Sequence, residues 1–348
     1  MSKKVFVGLS GGVDSAVSAA LLKERGFDVT GAFIKIWRPE FIECTWKEDR
    51  LDAMRVAAAL GIPFKEIDLS EEYKKEVVDP MVENYRNGIT PNPDVLCNRH
   101  IKFGAFAKWA FTEGADMVAT GHYARIENHG GKHQLLRGVD TSKDQSYFLY
   151  RLDAHDLART LFPIGDIEKK QVRVLAQKYE LTVAEKADSQ GLCIIGDISM
   201  RDALARFIPV EEGNVCDTEG KVIGTHEGAA LYTVGQRHGF IVAGERGQVP
   251  HYVIHIDVAT NTITVSADRN AAAQSEISLR DMHWVNAAPT MPAHVQVQTR
   301  YRETPIDAEV SLHDEKVHIH FNEPHVASPG QSLVIYQGEV CLGGGIIE

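Results

Sequence analysis

The stretch Val5-Phe-Val-Gly-Leu-Ser-Gly-Gly-Val-Asp-Ser15 constrains this chain more than any other. An apolar run enters two adjacent glycines and leaves through the Ala- and Leu-rich residues 16–22, which reads as a buried strand, a tight turn and a helix. Such a turn is suited to anions. Gly11 and Gly12 let the backbone approach a charged oxygen with no Cβ in the way, while the free N–H groups and dipole of the helix start favour negative charge. Ser10 and Ser15 add hydroxyl donors. No Lys follows the glycines, as a G-x-x-x-x-G-K-[ST] loop would require, so the turn suits pyrophosphate better than a transferred γ-phosphate.

S-G-G-x-D-S directly after a strand resembles the signature of the N-type ATP pyrophosphatases, which cleave ATP between the α and β phosphates and adenylate a carbonyl oxygen. Strand and helix patterns then alternate. Residues 28–37 read as a second strand, 49–60 as a helix, 63–69 as a third strand, and 70–87 as a helix capped by Ser70 with Glu71 and Glu72. The alternation predicts an α/β doubly wound parallel sheet whose ligand lies at the carboxyl ends of its strands.

The next segment, Ile89-Thr-Pro-Asn-Pro-Asp-Val-Leu-Cys-Asn-Arg99, holds two prolines in an exposed loop and places Asp94 three residues before Cys97. With Asn98 as the cap of a helix over 100–112, Cys97 lies near a helix N-terminus, where thiol pKa values fall from about 8.5 to roughly 3.5–7.5. Residues 116–120 form another strand, followed by Gly121-His-Tyr-Ala-Arg125, where a glycine either admits a nucleotide or simply turns the chain. Lys143-Asp-Gln-Ser-Tyr-Phe148 is polar then aromatic, 168–179 is a basic amphipathic helix, and Cys193 follows a Gly191 turn, where a core cysteine and a reactive one are both open readings.

Near 207–209 helical periodicity stops and short alternating strands take over. The expected division is 1–208 for the nucleotide-binding catalytic domain, 209–275 for a small β-rich central domain, and 276–348 for an antiparallel β-barrel that meets RNA. His318 and His320 lie on one strand face near His313 and His325, and read as a solvated face rather than a metal site, so no bound metal is expected. At 348 residues and 44% hydrophobic content the chain has room for these cores, and it has no apolar run of about 18 residues. A cytoplasmic protein is expected. Five scattered cysteines without a C-x-x-C argue against a disulfide framework, a zinc ribbon and a cysteine-bound Fe–S cluster. The net charge of −11 requires that any surface for nucleic acid be local; Arg99 with Lys102, Lys169 with Lys170 and Arg173, and Arg237 with His238 are the candidate basic patches.

In order, the chain carries S-G-G-V-D-S, T-P-N-P-D-x-x-C-N, T-G-H-Y, K-D-Q-S-Y-F-L and S-Q-x-x-C-I. Together these resemble the bacterial tRNA-specific 2-thiouridylase family over essentially the whole length. The resemblance implies ATP-dependent 2-thiolation of the wobble uridine in tRNAs for Glu, Gln and Lys, with ATP and Mg2+ as co-substrate, no permanent cofactor, and a cysteine desulfurase or sulfur-relay protein as donor. It implies ATP contacts from Gly8, Leu9, Ser10, Gly11, Gly12, Val13, Asp14, Ser15, Ile34 and Gly121; Ile34 replaces the family's usual Met. Cys97 is then the nucleophile, Cys193 the persulfide carrier, the two joining in a transient disulfide, and Asp94 the acid/base. The tRNA contacts implied are Asn92, Pro93, Asp94, His122, Lys143, Asp144, Gln145, Arg300, Tyr301 and Gln331. Cys44, Cys216 and Cys341 have no implied role beyond structure. Two rivals stand beside this reading: an ATP-pyrophosphatase ligase acting on a small-molecule carbonyl, and a noncatalytic RNA-binding protein that senses ATP.

Overall fold

The computed structural model describes residues 2–41, 46–188, 198–244 and 249–348. Cys44 and Cys193 lie outside them.

The apolar run at the N-terminus becomes β1 (Lys4–Gly8), which is buried on both faces: Phe6 packs with Tyr73, Val77, Ile101 and Phe106, while Val5 and Val7 pack with Val17, Val56 and Val172. Burying each such side chain stabilises the fold by about 1.5–3 kcal/mol. A strand apolar on both faces belongs inside a parallel sheet with helices on either side. The chain continues through α1 (Val13–Glu24), β2 (Asp28–Lys35), α2 (Trp46–Leu60), β3 (Phe64–Asp68), β4 (Met117–Ala119), the hairpin β5 (Ala124–His129) and β6 (Lys132–Arg137), and β7 (Thr160–Leu161). Sheet order is β3-β2-β1-β4-β7, every pair parallel. The chain reverses beside β1, so the turn after β1 and the turn after β4 face one another at the sheet's carboxyl edge.

Two helix starts differ from the sequence expectation. Ser70 is inside its helix rather than capping it; the Asp68 carboxylate accepts from the Ser70 N–H at 3.0 Å. The helix expected after Asn98 is capped six residues earlier, by Asn92, and starts at Pro93, because proline fits the first helical position. Asn98 is buried instead and donates to the Phe148 carbonyl at 3.1 Å. The helical run over 93–112 then widens into a ten-residue π-helix, Cys97–Phe106. Gly104 accommodates that register, since a Cβ there would stand 2.9 Å from the Arg99 carbonyl oxygen, one π-turn back.

Five strands between Gly213 and Ser266 form a second sheet. Six C-terminal strands, from Gln274–Trp284 to Val340–Ile347, close into an antiparallel barrel through a pairing of the first with the last. The β5–β6 hairpin joins that barrel's sheet: Leu135 and Leu136 pair with Cys341 and Val340. Sheet continuity therefore runs from the nucleotide-binding part of the chain into its C-terminal part. Cys341 is a fully buried wall residue whose thiol burial pushes up. Among the described residues no helix is long and apolar enough to cross a membrane.

Candidate active site

The turn after β1 is held by its own serines. Ser15 Oγ donates to the Gly12 carbonyl at 3.1 Å and accepts from the Ser10 N–H at 3.2 Å, and Gly12 N–H donates to Ser10 Oγ at 3.3 Å. Gly12 caps α1 with extended backbone and no side-chain cap, which leaves the first-turn N–H groups facing outward for an anion. Gly11 has φ +77°, and a Cβ on it would stand 2.3 Å from the Asp49 carbonyl oxygen of α2. Gly121 is required for a related reason: its Cβ would stand 2.6 Å from the Ser15 nitrogen. Of the two readings open for Gly121, the structure shows close contact with the loop itself. Leu9 and Val13 put their side chains into the core, so only their backbone faces the turn, and Ile34 lies beside Gly8, with Cδ1 3.9 Å from where a Gly8 Cβ would be.

A lysine reaches the turn from elsewhere in the chain. Lys169, at the start of the Lys169–Lys178 helix, places Nζ 2.8 Å from both Asp14 carboxylate oxygens and 2.8 Å from Asp188. Tyr123 O–H donates to Asp14 Oδ1 at 2.7 Å. Asp188 also pairs with Lys143 at 2.9 Å and Arg173 at 2.7 Å. Burial pushes the Asp188 carboxyl up, but the hydrogen bonds from Lys169 and Lys143 outweigh it and hold the group lowered to about 2. Three cations thus crowd two carboxylates beside the anion turn. Sequence reasoning missed Lys169 and Asp188 as partners of the loop.

A second centre lies on the 93–112 helix. Asp94 and Cys97, three residues apart, share a helix face, both partly buried. Burial pushes the Asp94 carboxyl above the usual range, opposed by the nearby Lys102 ammonium. The loop before this helix is held from two sides: Gln331 Nε2 donates to the Thr90 and Pro91 carbonyls at 2.9 and 3.0 Å, and Thr90 Oγ1 meets Thr233 Oγ1 at 2.8 Å. Barrel and central sheet together aim it.

The remaining expected residues fall into two groups. Arg300 is exposed and pairs with Glu303 at 3.3 Å, and Tyr301 stacks on Phe148 with centroids 4.4 Å apart, leaving an aromatic and cationic surface. Asp144, His122 and Gln145 have side chains committed to the interior. Asp144 accepts from Gly138 N–H, Ser146 N–H and Ser146 Oγ at 2.9–3.0 Å, Gln145 Oε1 accepts from Tyr123 N–H at 3.0 Å, and His122 is buried against Phe103 and Phe162. His318 and His320 share Glu276 at 2.7 and 3.4 Å, a carboxylate from a neighbouring strand that the sequence reading did not anticipate. Among the described residues no group of three ligands is placed to hold a metal ion.

Comparison with known proteins covers nearly the whole chain. Residues 3–197 match the family model described as the tRNA methyl transferase HUP domain, 201–267 the tRNA methyl transferase PRC-barrel domain, and 274–347 the aminomethyltransferase beta-barrel domain. The tRNA-specific 2-thiouridylase MnmA of Pasteurella multocida (strain Pm70) is 44% identical over 99% of this chain and 93% of its own length. The proteins of that name from Mannheimia succiniciproducens and Klebsiella pneumoniae are each 45% identical over 99% of this chain, and over 92% and 97% of their own lengths.

Proposed function

Because the chain belongs to the tRNA-specific 2-thiouridylase family, we propose that it uses ATP to replace the C2 oxygen of the wobble uridine with sulfur in tRNAs for Glu, Gln and Lys. The observation that carries this reading is the presence of two centres: an uncapped helix start whose Asp14 is joined through Lys169 and Asp188 to Lys143 and Arg173, and Asp94 with Cys97 on the 93–112 helix. The first suits the departing pyrophosphate, the second the base.

Oxygen at C2 of uracil is a poor leaving group. In the proposed sequence O2 attacks the α-phosphorus of ATP, the bond to the β-phosphate bridging oxygen breaks, and pyrophosphate leaves with the electron pair. The N3 proton passes to the Asp94 carboxylate. The loop N–H groups and the surrounding cations stabilise the charge that develops on the phosphates. Magnesium enters with the nucleotide as part of the substrate. Asp14 is an oxygen ligand of suitable chemistry for it.

Sulfur then arrives as a persulfide on Cys193, loaded by a desulfurase or relay protein. The terminal sulfur attacks C2 and AMP leaves. The Cys97 thiolate attacks Cys193 Sγ, releasing the thiolated base and leaving a Cys97–Cys193 disulfide that a dithiol reductant reopens. If Cys97 attacks first, hydrosulfide is released and becomes the nucleophile at C2, with the same disulfide as by-product. Arg300, Tyr301 and the loop over 89–93 form the proposed grip on the anticodon region, where an unstacked base meets aromatic and cationic side chains. Asp144, Gln145 and Gln331 support that surface from within. The site of action is the cytoplasm.

The test is pyrophosphate release from ATP and magnesium with an unmodified glutamate tRNA transcript and with the same transcript carrying cytidine at the wobble position. Sulfide replaces the natural donor, and nucleoside mass analysis reads 2-thiouridine. Release and thiolation that both require the wobble uridine are expected. Release indifferent to tRNA would assign the chain to small-molecule ligation, and tRNA binding without release to a noncatalytic role.

A further inference from the structure

Every basic side chain described above at the two centres is matched to a carboxylate except one. Lys143, Lys169 and Arg173 pair with Asp188, Arg99 with Asp156 at 2.8 Å, and Arg300 with Glu303. Lys102 is different: among the described residues it makes no ion pair, its one hydrogen bond is to a neutral ring, His122 Nε2, at 3.4 Å, and the Asp94 carboxyl feels it only through space. We propose that the Lys102 ammonium is a phosphate-contacting group of this site, receiving a phosphate oxygen of the bound substrate beside Asp94 and Cys97. The inference rests on the reading of the site given under Proposed function.

The hydrogen bonds define how Lys102 is presented. An ammonium donates only, so the His122 nitrogen facing it carries a lone pair, and the ring's hydrogen is on Nδ1, which donates to Thr120 Oγ1 at 2.7 Å. Burial and the neighbouring Lys102 both hold His122 well below its ordinary pKa, so the ring stays a neutral acceptor. It orients one of the three ammonium donors and cannot neutralise the charge. The other two are left for an anion.

Position argues the same way. His122 follows Gly121, whose backbone lies against Asp14 and Ser15 of the phosphate turn. Lys102 lies five residues beyond Cys97 on the π-helix, the spacing of its i→i+5 register, which puts both on one side of the helix. The partly buried ammonium therefore touches both neighbourhoods: it bonds His122, the residue after Gly121, and lies near enough to Asp94 to oppose the rise of that carboxyl's pKa. Its charge there is exposed to less water than on the open surface, which strengthens its pull on a phosphate. The phosphate has two sources: the α-phosphate of the nucleotide, or a phosphodiester next to the target base.

The experiment uses the full-length protein with Lys102→Met and Lys102→Arg, and Lys102→Gln as a second neutral variant if the first does not fold by thermal melting. One arm measures binding of unmodified glutamate tRNA transcript from 50 to 250 mM KCl without ATP. The other measures KM for ATP and kcat for pyrophosphate release at saturating tRNA. At least a tenfold loss of kcat/KM is expected for the neutral variant, largely restored by Arg. If the phosphodiester is the ligand, the slope of log affinity against log salt shrinks by about 0.7–0.9, one phosphate contact. If the α-phosphate is the ligand, that slope is unchanged and the loss falls in the ATP parameters. A folded neutral variant with both the salt slope and the ATP kinetics within twofold of the unmodified protein overturns the inference. An unmodified protein that releases no pyrophosphate refutes the proposed function instead, and the tRNA-binding arm still reads Lys102.

Discussion

Gly121→Ala tests whether the turn after β4 braces the phosphate turn. The added Cβ would stand 2.6 Å from the Ser15 nitrogen and 2.7 Å from the Asp14 carbonyl carbon, backbone atoms that cannot rotate away. To restore ordinary contact at 3.4 Å, the start of α1 must retreat by about 0.8 Å, a displacement of the size that costs roughly 10²-fold in rate when it misplaces reacting groups. Overpacking of this kind destabilises by about 1–3 kcal/mol, which lowers the melting temperature by roughly 2–12 °C for a domain of this size. Gly12→Ala is the control. Gly12 has φ −100°, and its Cβ would meet only Ser10 Oγ at 3.3 Å, a hydroxyl that need shift only slightly while keeping its bond to the Gly12 N–H. Differential scanning fluorimetry and pyrophosphate release on both variants are the assay. Gly121→Ala should lose both stability and release; Gly12→Ala should melt like the unmodified protein. A Gly121→Ala protein with unchanged melting and release would show that the contact does not position the turn, and the argument would fail.

Asp188→Asn should cost about 1 kcal/mol at pH 6–7 after allowance for solvent screening. Because the folded carboxyl is lowered to about 2 from an ordinary value of 3.8, that stability is present above pH 4 and lost as pH falls toward 2. Urea unfolding of both proteins at pH 6, 4 and 3 checks that the gap closes in that order. Gln331→Leu removes two hydrogen bonds to the Thr90 and Pro91 carbonyls, at about 0.5–1.5 kcal/mol each. Hydrogen exchange should rise at residues 89–92, and the tRNA KM should rise more than the ATP KM. Cys97→Ser and Cys193→Ser should each retain tRNA-dependent pyrophosphate release while yielding no 2-thiouridine with a persulfide donor; loss of release in both would place the cysteines in adenylation.

The nucleotide turn was legible because its determinants are contiguous: an apolar strand, two glycines and a small-residue helix lie within residues 5–22. The Asp94–Cys97 face was legible for a similar reason, since helical spacing alone brings them together, although the helix start was misplaced by the pull of Asn98 as a cap. What the sequence hid are pairings across long separations. Asp14 and Lys169 are 155 residues apart, Gln331 and Pro91 are 240 apart, and the hairpin over 124–137 reads as part of the first domain yet joins the last one's sheet. A strand's edge gives no local sign of which partner will cover it. The π-register over 97–106 was also hidden, because apolar residues spaced for an α-helix and a π-helix look alike over two turns.

Lys169 nonetheless left a readable trace. The Lys169–Lys178 helix opens with two lysines and no acidic residue in its first turn, against its own dipole, which disfavours cations there by about 0.3–1 kcal/mol each. Lys170 is exposed and pairs with Glu168, so water and a neighbour account for it. Lys169 is largely buried and has no such local partner; its placement is stable only because Asp14 and Asp188 receive it. A cation kept on the wrong end of a helix needs a carboxylate or a phosphate to meet it. Beside a turn whose uncapped helix start suits an anion, the proposed function has the same cation serve a phosphate as well as Asp14 and Asp188. This resolves the apparent conflict between a chain of net charge −11 and an anionic substrate. On the proposed function, the acidic residues at this site hold the cations in place for the phosphate more than they repel it, and salt screens the attraction.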